Sequence, residues 1–312
     1  MLKTESLNPK YRKLLFITLA VFSFTPWVSP PFALLLGIIF INVFGNPFDN
    51  IGDLTKKILQ YSIIGLGFGI NFNEAVKAGS DGFLFTIITI IFVMLLGFGL
   101  GKIFKIDKTV TKLISVGTAI CGGSAIAAVS PIIKANNQQN SVALGVVFVL
   151  NALALFLFPP IGIWLNLSQE QFGIWAAIAI HDTSSVVGAA SRFGKEALNI
   201  ATIVKLARAL WIIPVALLFA LLTKSDKKIK IPYFIGGFVI AILLNSYVPF
   251  IQNFVPHISE FSRSMLKVAL FFIGTGLSFK VLRNIGFKPL IIAVILWFSI
   301  SLISLWAVMK YF

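Results

Sequence analysis

Apolar runs recur from one end of the chain to the other, each closed by a short polar or charged segment, as in RKLLFITLAVFSFTPW and KPLIIAVILWFSISLISLWAVMK. A helix rising about 1.5 Å per residue needs roughly 20 such residues to cross a hydrocarbon layer about 30 Å thick. The pattern predicts about eleven spanning helices, at residues 13–28, 31–46, 57–72, 83–102, 110–133, 141–165, 172–190, 198–222, 231–250, 265–280 and 288–310. No hydrophilic stretch is long enough for a soluble domain and no Ser/Gly or Pro linker divides the chain. Residues 1–312 therefore read as one all-α polytopic integral membrane domain.

Composition agrees with this. At 58% hydrophobic and 12% charged residues, the chain has too little polar surface to cover a soluble globule of 312 residues. The formal net charge of +15 is read as a topology signal and as attraction to anionic headgroups in the lipid bilayer, not as a nucleic-acid surface. With the N-terminus in the cytoplasm, more than twice as many Lys and Arg fall inside as outside; Lys134, Arg192 and Lys195 are among the outside minority. An odd number of spans then puts the C-terminus outside. The first apolar run ends in FSFTPWVSPP without a small-x-small cleavage pattern, so it is expected to remain as an uncleaved helix. The lone Cys121 has no partner for a disulfide or a metal site, and neither cofactor nor metal is expected.

Four ionisable residues fall at membrane depth: His181 and Asp182 in IWAAIAIHDTSSVVGAA, and Lys205 and Arg208 in IATIVKLARALWIIPVALLFALL. Such side chains cost at least ~2.5–3.5 kcal/mol each on insertion scales and mark substrate or ion routes. Lys205 and Arg208 lie three apart, on one helix face. A salt bridge from Asp182 is expected to balance one of them, leaving a surplus positive charge suited to an anion. The Arg fork suits oxyanions, and His181 adds a proton-dependent charge.

Two segments are expected to be broken. GTAICGGSAIAAVSP carries Gly122, Gly123 and Ser124 at its centre, and Gly disfavours helix by about 1 kcal/mol. AIHDTSSVVGAAS carries Asp182, Thr183, Ser184 and Ser185, which prefer caps to helix interiors. Irregular backbone at membrane depth is tolerated where it lines a cavity, and a half-helix beginning near Ser124 would aim its N–H groups there.

There is also an internal repeat. GFGINFNEAVKAG (67–79) matches GTGLSFKVLRNIG (274–286), with Gly67/Gly274, Gly69/Gly276, Phe72/Phe279 and Gly79/Gly286 identical. In the expected topology the copies run oppositely, as in inverted-repeat secondary transporters with a midplane site. The fifth and seventh spans, however, both run outward. Gly274 and Thr275 of the tenth span are therefore taken as mates of the fifth, with the seventh and eighth supplying charged side chains.

TAICGGSAIAAVSPII, then AIHDTSSVVGAAS, then IVKLARALWIIP resembles the YeiH-type family of suggested sulfate exporters, bacterial inner-membrane proteins. The resemblance covers essentially the whole chain. It implies a transporter-like fold related to the bile acid/sodium symporter and cation/proton antiporter group, with discontinuous helices crossing at the site. It carries over Cys121, Gly122, Gly123, Ser124, His181, Asp182, Lys205 and Arg208. Together with Ser184, Ser185, Gly274 and Thr275 these form the expected substrate site.

The expected function is ion-coupled transport of a small anion, with a proton or sodium as coupling ion. An alternative is a cation/proton exchanger using Asp182 and His181; a remote one is an intramembrane enzyme using His181, Asp182 and Ser184. No GxxxxGK[ST] loop for ATP and no HExxH cluster occurs in the chain. Oligomeric state is not readable.

Overall fold

The computed structural model describes residues 8–48, 51–223, 233–278 and 286–312. Its helices in chain order are α1 (Pro9–Phe24), α2 (Pro30–Phe44), α3 (Ile51–Gly67), α4 (Phe72–Ile103), α5 (Lys108–Ala119), α6 (Gly123–Val129), α7 (Asn137–Trp164) and α8 (Gln169–Ala179). They continue with α9 (Thr183–Phe193), α10 (Lys195–Leu210), α11 (Ile212–Thr223), α12 (Tyr233–Tyr247), α13 (Pro249–Gln252), α14 (Val255–Thr275) and α15 (Phe287–Tyr311). No strand occurs among the described residues. Among the described residues, four stretches are long and apolar enough to cross a membrane unaided: Phe85–Ile103, Asn137–Trp164, Lys195–Thr223 and Phe287–Tyr311.

Helix ends follow local chemistry. The Asn8 side chain accepts from Lys10 N at 3.1 Å and Pro9 opens α1. Pro26 keeps Thr25 extended, at φ −68° and ψ 157°, so α1 stops at Phe24, short of the expected residue 28. Helices α4 and α14 start about ten residues before their expected spans, because hydropathy measures membrane thickness whereas the polar turns preceding it are helical too. Pro214 has no N–H for the Leu210 carbonyl, which explains the single-residue interruption at Trp211 between α10 and α11.

The expected spans 110–133 and 172–190 are corrected by the structure: each is two half-length helices folded back on themselves. Asp107, which caps α5 by accepting from Thr109 N and Val110 N, also accepts from Gln139 Nε2 at 3.0 Å. Those two residues are 32 apart in sequence, and a straight helix would separate them by ~48 Å. At the second hairpin Gln169 Oε1 accepts from Glu196 N at 3.1 Å and Ala197 N at 3.3 Å, and the Phe172 and Phe193 rings stack with centroids 3.8 Å apart. Two half-helices in series have the same apolar length as one spanning helix, so hydropathy counts them as one. Helix α7 joins the open end of the α5–α6 hairpin to the open end of the α8–α9 hairpin, so the two enter from opposite ends of α7. That removes the difficulty of two broken spans running the same way.

The chain divides into two compact units, Met1–Ala75 with Pro232–Phe279, and Val76–Ile231 with Lys280–Phe312. In the first, α2 lies on α14 and α3 on α12 with reciprocal contacts. Asn42 Nδ2 donates to Leu277 O at 3.2 Å, and Asn245 Nδ2 donates to Ile70 O at 3.0 Å. Ile70 and Leu277 are matched positions of the repeat. The matched Gly67 and Gly274 both meet helix backbone: a Cβ at Gly67 would lie 2.8 Å from Phe238 O, and one at Gly274 would strike Leu34 O. Side chains at either position would force the helices apart. The remainder of the second copy, from 279 to 285, lies outside the described residues.

In the second unit the hairpins pack on α7, α10 and α15. Trp175 stacks on Phe158 at 4.3 Å and donates from Nε1 to Ser301 O at 3.0 Å, fixing α8 against α15. Small residues allow α8 and α10 to approach; a Cβ at Gly173 would lie 3.0 Å from Ala197 O.

The hairpins predict a labelling pattern. In a Cys121→Ala background, Lys108→Cys and Gln138→Cys should react with an impermeant thiol reagent from one membrane face, and Glu170→Cys and Lys195→Cys from the other. Eleven continuous spans require instead that residues 108 and 138 label from opposite faces.

Candidate functional site

The two hairpin tips meet. Helix α5 ends at Ile120, and Gly122 N donates to Gly117 O at 2.8 Å, closing the turn. Gly122 has φ +63° and ψ −123°, a conformation L side chains rarely adopt, and a Cβ there would lie 3.4 Å from the His181 carbonyl. The break falls at residues 120–122, where the glycines predict it. In the second hairpin α8 ends at Ile180 in extended conformation and Asp182 is the N-cap of α9. Asn151, at the middle of α7, secures this tip: its Oδ1 accepts from His181 N and Asp182 N, both at 3.1 Å.

Lys205 is fully buried and ties the tips together. Its Nζ donates to Ile120 O at 3.1 Å, to Ala177 O at 3.1 Å and to Ile180 O at 2.7 Å. These carbonyls lie at the C-terminal ends of α5 and α8, which the chain breaks leave without intrahelical partners. An ammonium at two negative helix ends is favoured electrostatically. All three of its donors are occupied by backbone carbonyls, so in this arrangement Lys205 clamps the two tips.

The expected salt bridge from Asp182 is absent. Its carboxylate accepts from Ser184 N at 3.2 Å and from Ser184 Oγ, at the positive end of α9. Among the described residues the only ion pair is Lys56–Asp53, at 3.8 Å. The half-buried acid and the buried base are thus held by opposite helix ends and not by each other.

Arg208 is fully buried, three residues beyond Lys205. Its Nη1 donates to Thr89 Oγ1 of α4 at 2.8 Å, while Nε and Nη2 have no hydrogen-bond partner in the protein. Both His181 ring nitrogens, Asn151 Nδ2 and Thr118 Oγ1 are likewise buried without partners. Cys121 and Ser185 are buried beside these groups in sequence; Gly123 is half-buried and Ser124 exposed. Gly274 and Thr275 belong to the first unit: Gly274 packs on α2, and Thr275 Oγ1 donates to Phe272 O at 2.7 Å. Within the second unit the 117–131 segment meets the α8–α9 hairpin at the Lys205 contacts. Two residues were missed by the sequence reading, Asn151 and Thr89. The signal existed as a lone Asn in VVFVLNALALF and a Thr in FTIITIIF.

Residues 15–312 match the family described as conserved hypothetical protein 698. A UPF0324 membrane protein of Porphyromonas gingivalis is 50% identical over 290 residues, covering 90% of this chain and 87% of the relative. One from Shewanella oneidensis is 50% identical over 295 residues, covering 94% and 93%. The chain belongs to this membrane protein family. A more distant UPF0324 relative, from Geobacter sulfurreducens, is 44% identical over 282 residues and covers 90% of this chain and 91% of its own. No solved structure matches.

The clamp and the cap predict an order of stabilities. Lys205→Met leaves three buried carbonyls unpaired and should cost about 3–5 kcal/mol. Asp182→Ala loses a cap worth about 1–2 kcal/mol, and Asp182→Asn, which still caps, should cost little. Denaturation in detergent ranks the three; an Asp182→Asn loss equal to that of Lys205→Met would restore the ion pair.

Proposed function

We propose that the protein is a secondary transporter of a small anion, binding it at the meeting point of the hairpin tips. One observation carries this reading: the fully buried groups there without a protein partner include Nε and Nη2 of Arg208 and Nδ2 of Asn151, which can only donate. The amide orientation is fixed, because Asn151 Oδ1 already accepts from two backbone N–H groups. A cluster of orphan donors calls for an acceptor-rich ligand, and an Arg with Nε and Nη2 both free suits an oxyanion. Sulfate or a related sulfur oxyanion is the first substrate to test, on the resemblance of the CGGS, His-Asp and Lys-x-x-Arg segments.

The topology supports the same reading. Turning two of the eleven expected spans into re-entrant hairpins retains an odd number of crossings, so a cytoplasmic N-terminus still goes with an outside C-terminus. Folding 108–136 back also transfers Lys134 from the outside minority to the cytoplasmic majority, which strengthens the positive-inside pattern. Hairpins entering from opposite faces, with the reciprocal Asn42 and Asn245 contacts, fit an inverted repeat of the kind that builds midplane sites in ion-coupled transporters, including the bile acid/sodium symporter group. Localisation is the bacterial inner membrane, with a proton or sodium as coupling ion.

A cation/proton exchanger would need Asp182 as its carrier, but that carboxylate is engaged as the α9 cap. An enzyme using Ser184 would need His181 as its base, whereas Ser184 Oγ donates to Asp182.

Proteoliposome flux of labelled sulfate and sulfite, with imposed proton and sodium gradients, tests the proposal. Arg208→Ala should weaken anion binding about 100-fold, as loss of a charge-assisted pair worth about 3 kcal/mol implies, and Arg208→Lys should restore only part. Cation exchange that proceeds without any anion dependence would overturn the anion reading.

A further inference from the structure

A second feature, remote in chemistry from the hairpin tips, lies in the first unit. Phe16, Ala20 and Phe24 of α1, Phe48, Leu54 of α3 and Phe272 of α14 line an open apolar groove of about 790 Å³. It runs along α1 for eight residues, or ~12 Å. At its Phe48 end the groove becomes basic. Lys13 Nζ lies 5.4 Å from the Phe48 ring centroid, and Arg12 Nη1 donates to Phe44 O at 3.3 Å. Arg12 Nε is buried and has no partner in the protein. The nearby Asp53 pairs with Lys56, and neither Lys13 nor Arg12 has a carboxylate within 4.0 Å among the described residues.

We propose that this groove holds one acyl chain of an anionic phospholipid, with the headgroup phosphate on Arg12 and Lys13. The apolar trough fits a chain that lies along a helix, and the unpartnered Arg12 Nε–H supplies a donor where the phosphate oxygens would sit. Charge decides the occupant. A second copy of a chain of net charge +15 would bring further positive charge to a basic end, whereas an anionic lipid brings the opposite sign. Juxtamembrane basic residues are attracted to an anionic leaflet, so the preference is for charged over zwitterionic lipid. The inference stands apart from the transport reading, since neither Arg12 nor Lys13 belongs to the hairpin site.

Native mass spectrometry of the detergent-purified protein, incubated with phosphatidylglycerol or with phosphatidylcholine of identical chains, tests it. The unmodified protein should retain phosphatidylglycerol about tenfold better. An Arg12→Gln, Lys13→Gln double variant should lose that preference, and Ala20→Trp, which fills the groove, should lower retention of both lipids. Equal retention of the two lipids, an undiminished preference in the double variant, or unchanged retention in Ala20→Trp would each overturn the proposal. So would a dimer that forms without retained lipid and is broken by Ala20→Trp, which would give the groove to a second copy.

Discussion

Backbone carbonyls released at a helix break inside a bilayer have no water to accept from, and each one left unpaired costs several kcal/mol. This chain breaks two helices at the same depth, and Lys205 answers both breaks with one ammonium that donates to Ile120, Ala177 and Ile180. The rest of the second unit follows from that contact. Helix α10 must pass both tips, α8 must lie close enough to α10 for small residues to be required between them, and the first tip turns at Gly122, whose φ of +63° L side chains rarely adopt. A charge that is costly at membrane depth is kept because the breaks present oriented partial charges of the opposite sign.

The same logic separates roles among residues that look alike in sequence. Lys205 spends all its donors on the scaffold, Asp182 caps α9, and Asn151 holds the second tip through its oxygen. Arg208, fully buried and three residues beyond the clamp, keeps Nε and Nη2 uncommitted after its contact with Thr89. On the proposed transport reading, a scaffold that satisfies its own backbone while leaving Arg208 and Asn151 Nδ2 unpaired holds these donors for an acceptor-rich ligand.

Much of this was legible beforehand, and the limits have physical causes. The break at 120–122 follows from the glycine pair, and the cap at Asp182 from the Asp-Thr-Ser-Ser run, because both depend on local backbone preference. The folding-back of each broken segment was not legible: hydropathy integrates apolar length and is blind to a reversal midway. Read as continuous spans, the two broken segments run the same way, and Gly274 was taken to supply an opposing direction; as hairpins they enter from opposite ends of α7. The ion pair from Asp182 failed for a different reason. Complementary charge suggests pairing, but helix ends compete for the same charges and here hold the acid and the base at separate sites. Gly67 and Gly274, matched in sequence, both pack against helix backbone in the first unit.

The central claim is that two hairpin tips, clamped by Lys205, present Arg208 to an anion. A crystal structure with selenate, a heavier analogue of sulfate, measured at the selenium absorption edge, tests it most directly. The account predicts an anomalous peak within hydrogen-bonding reach of the free edge of Arg208 and of Asn151 Nδ2, with both hairpins re-entrant around it. A peak elsewhere with the Arg208 donors unoccupied, or two continuous helices in place of the hairpins, would contradict it.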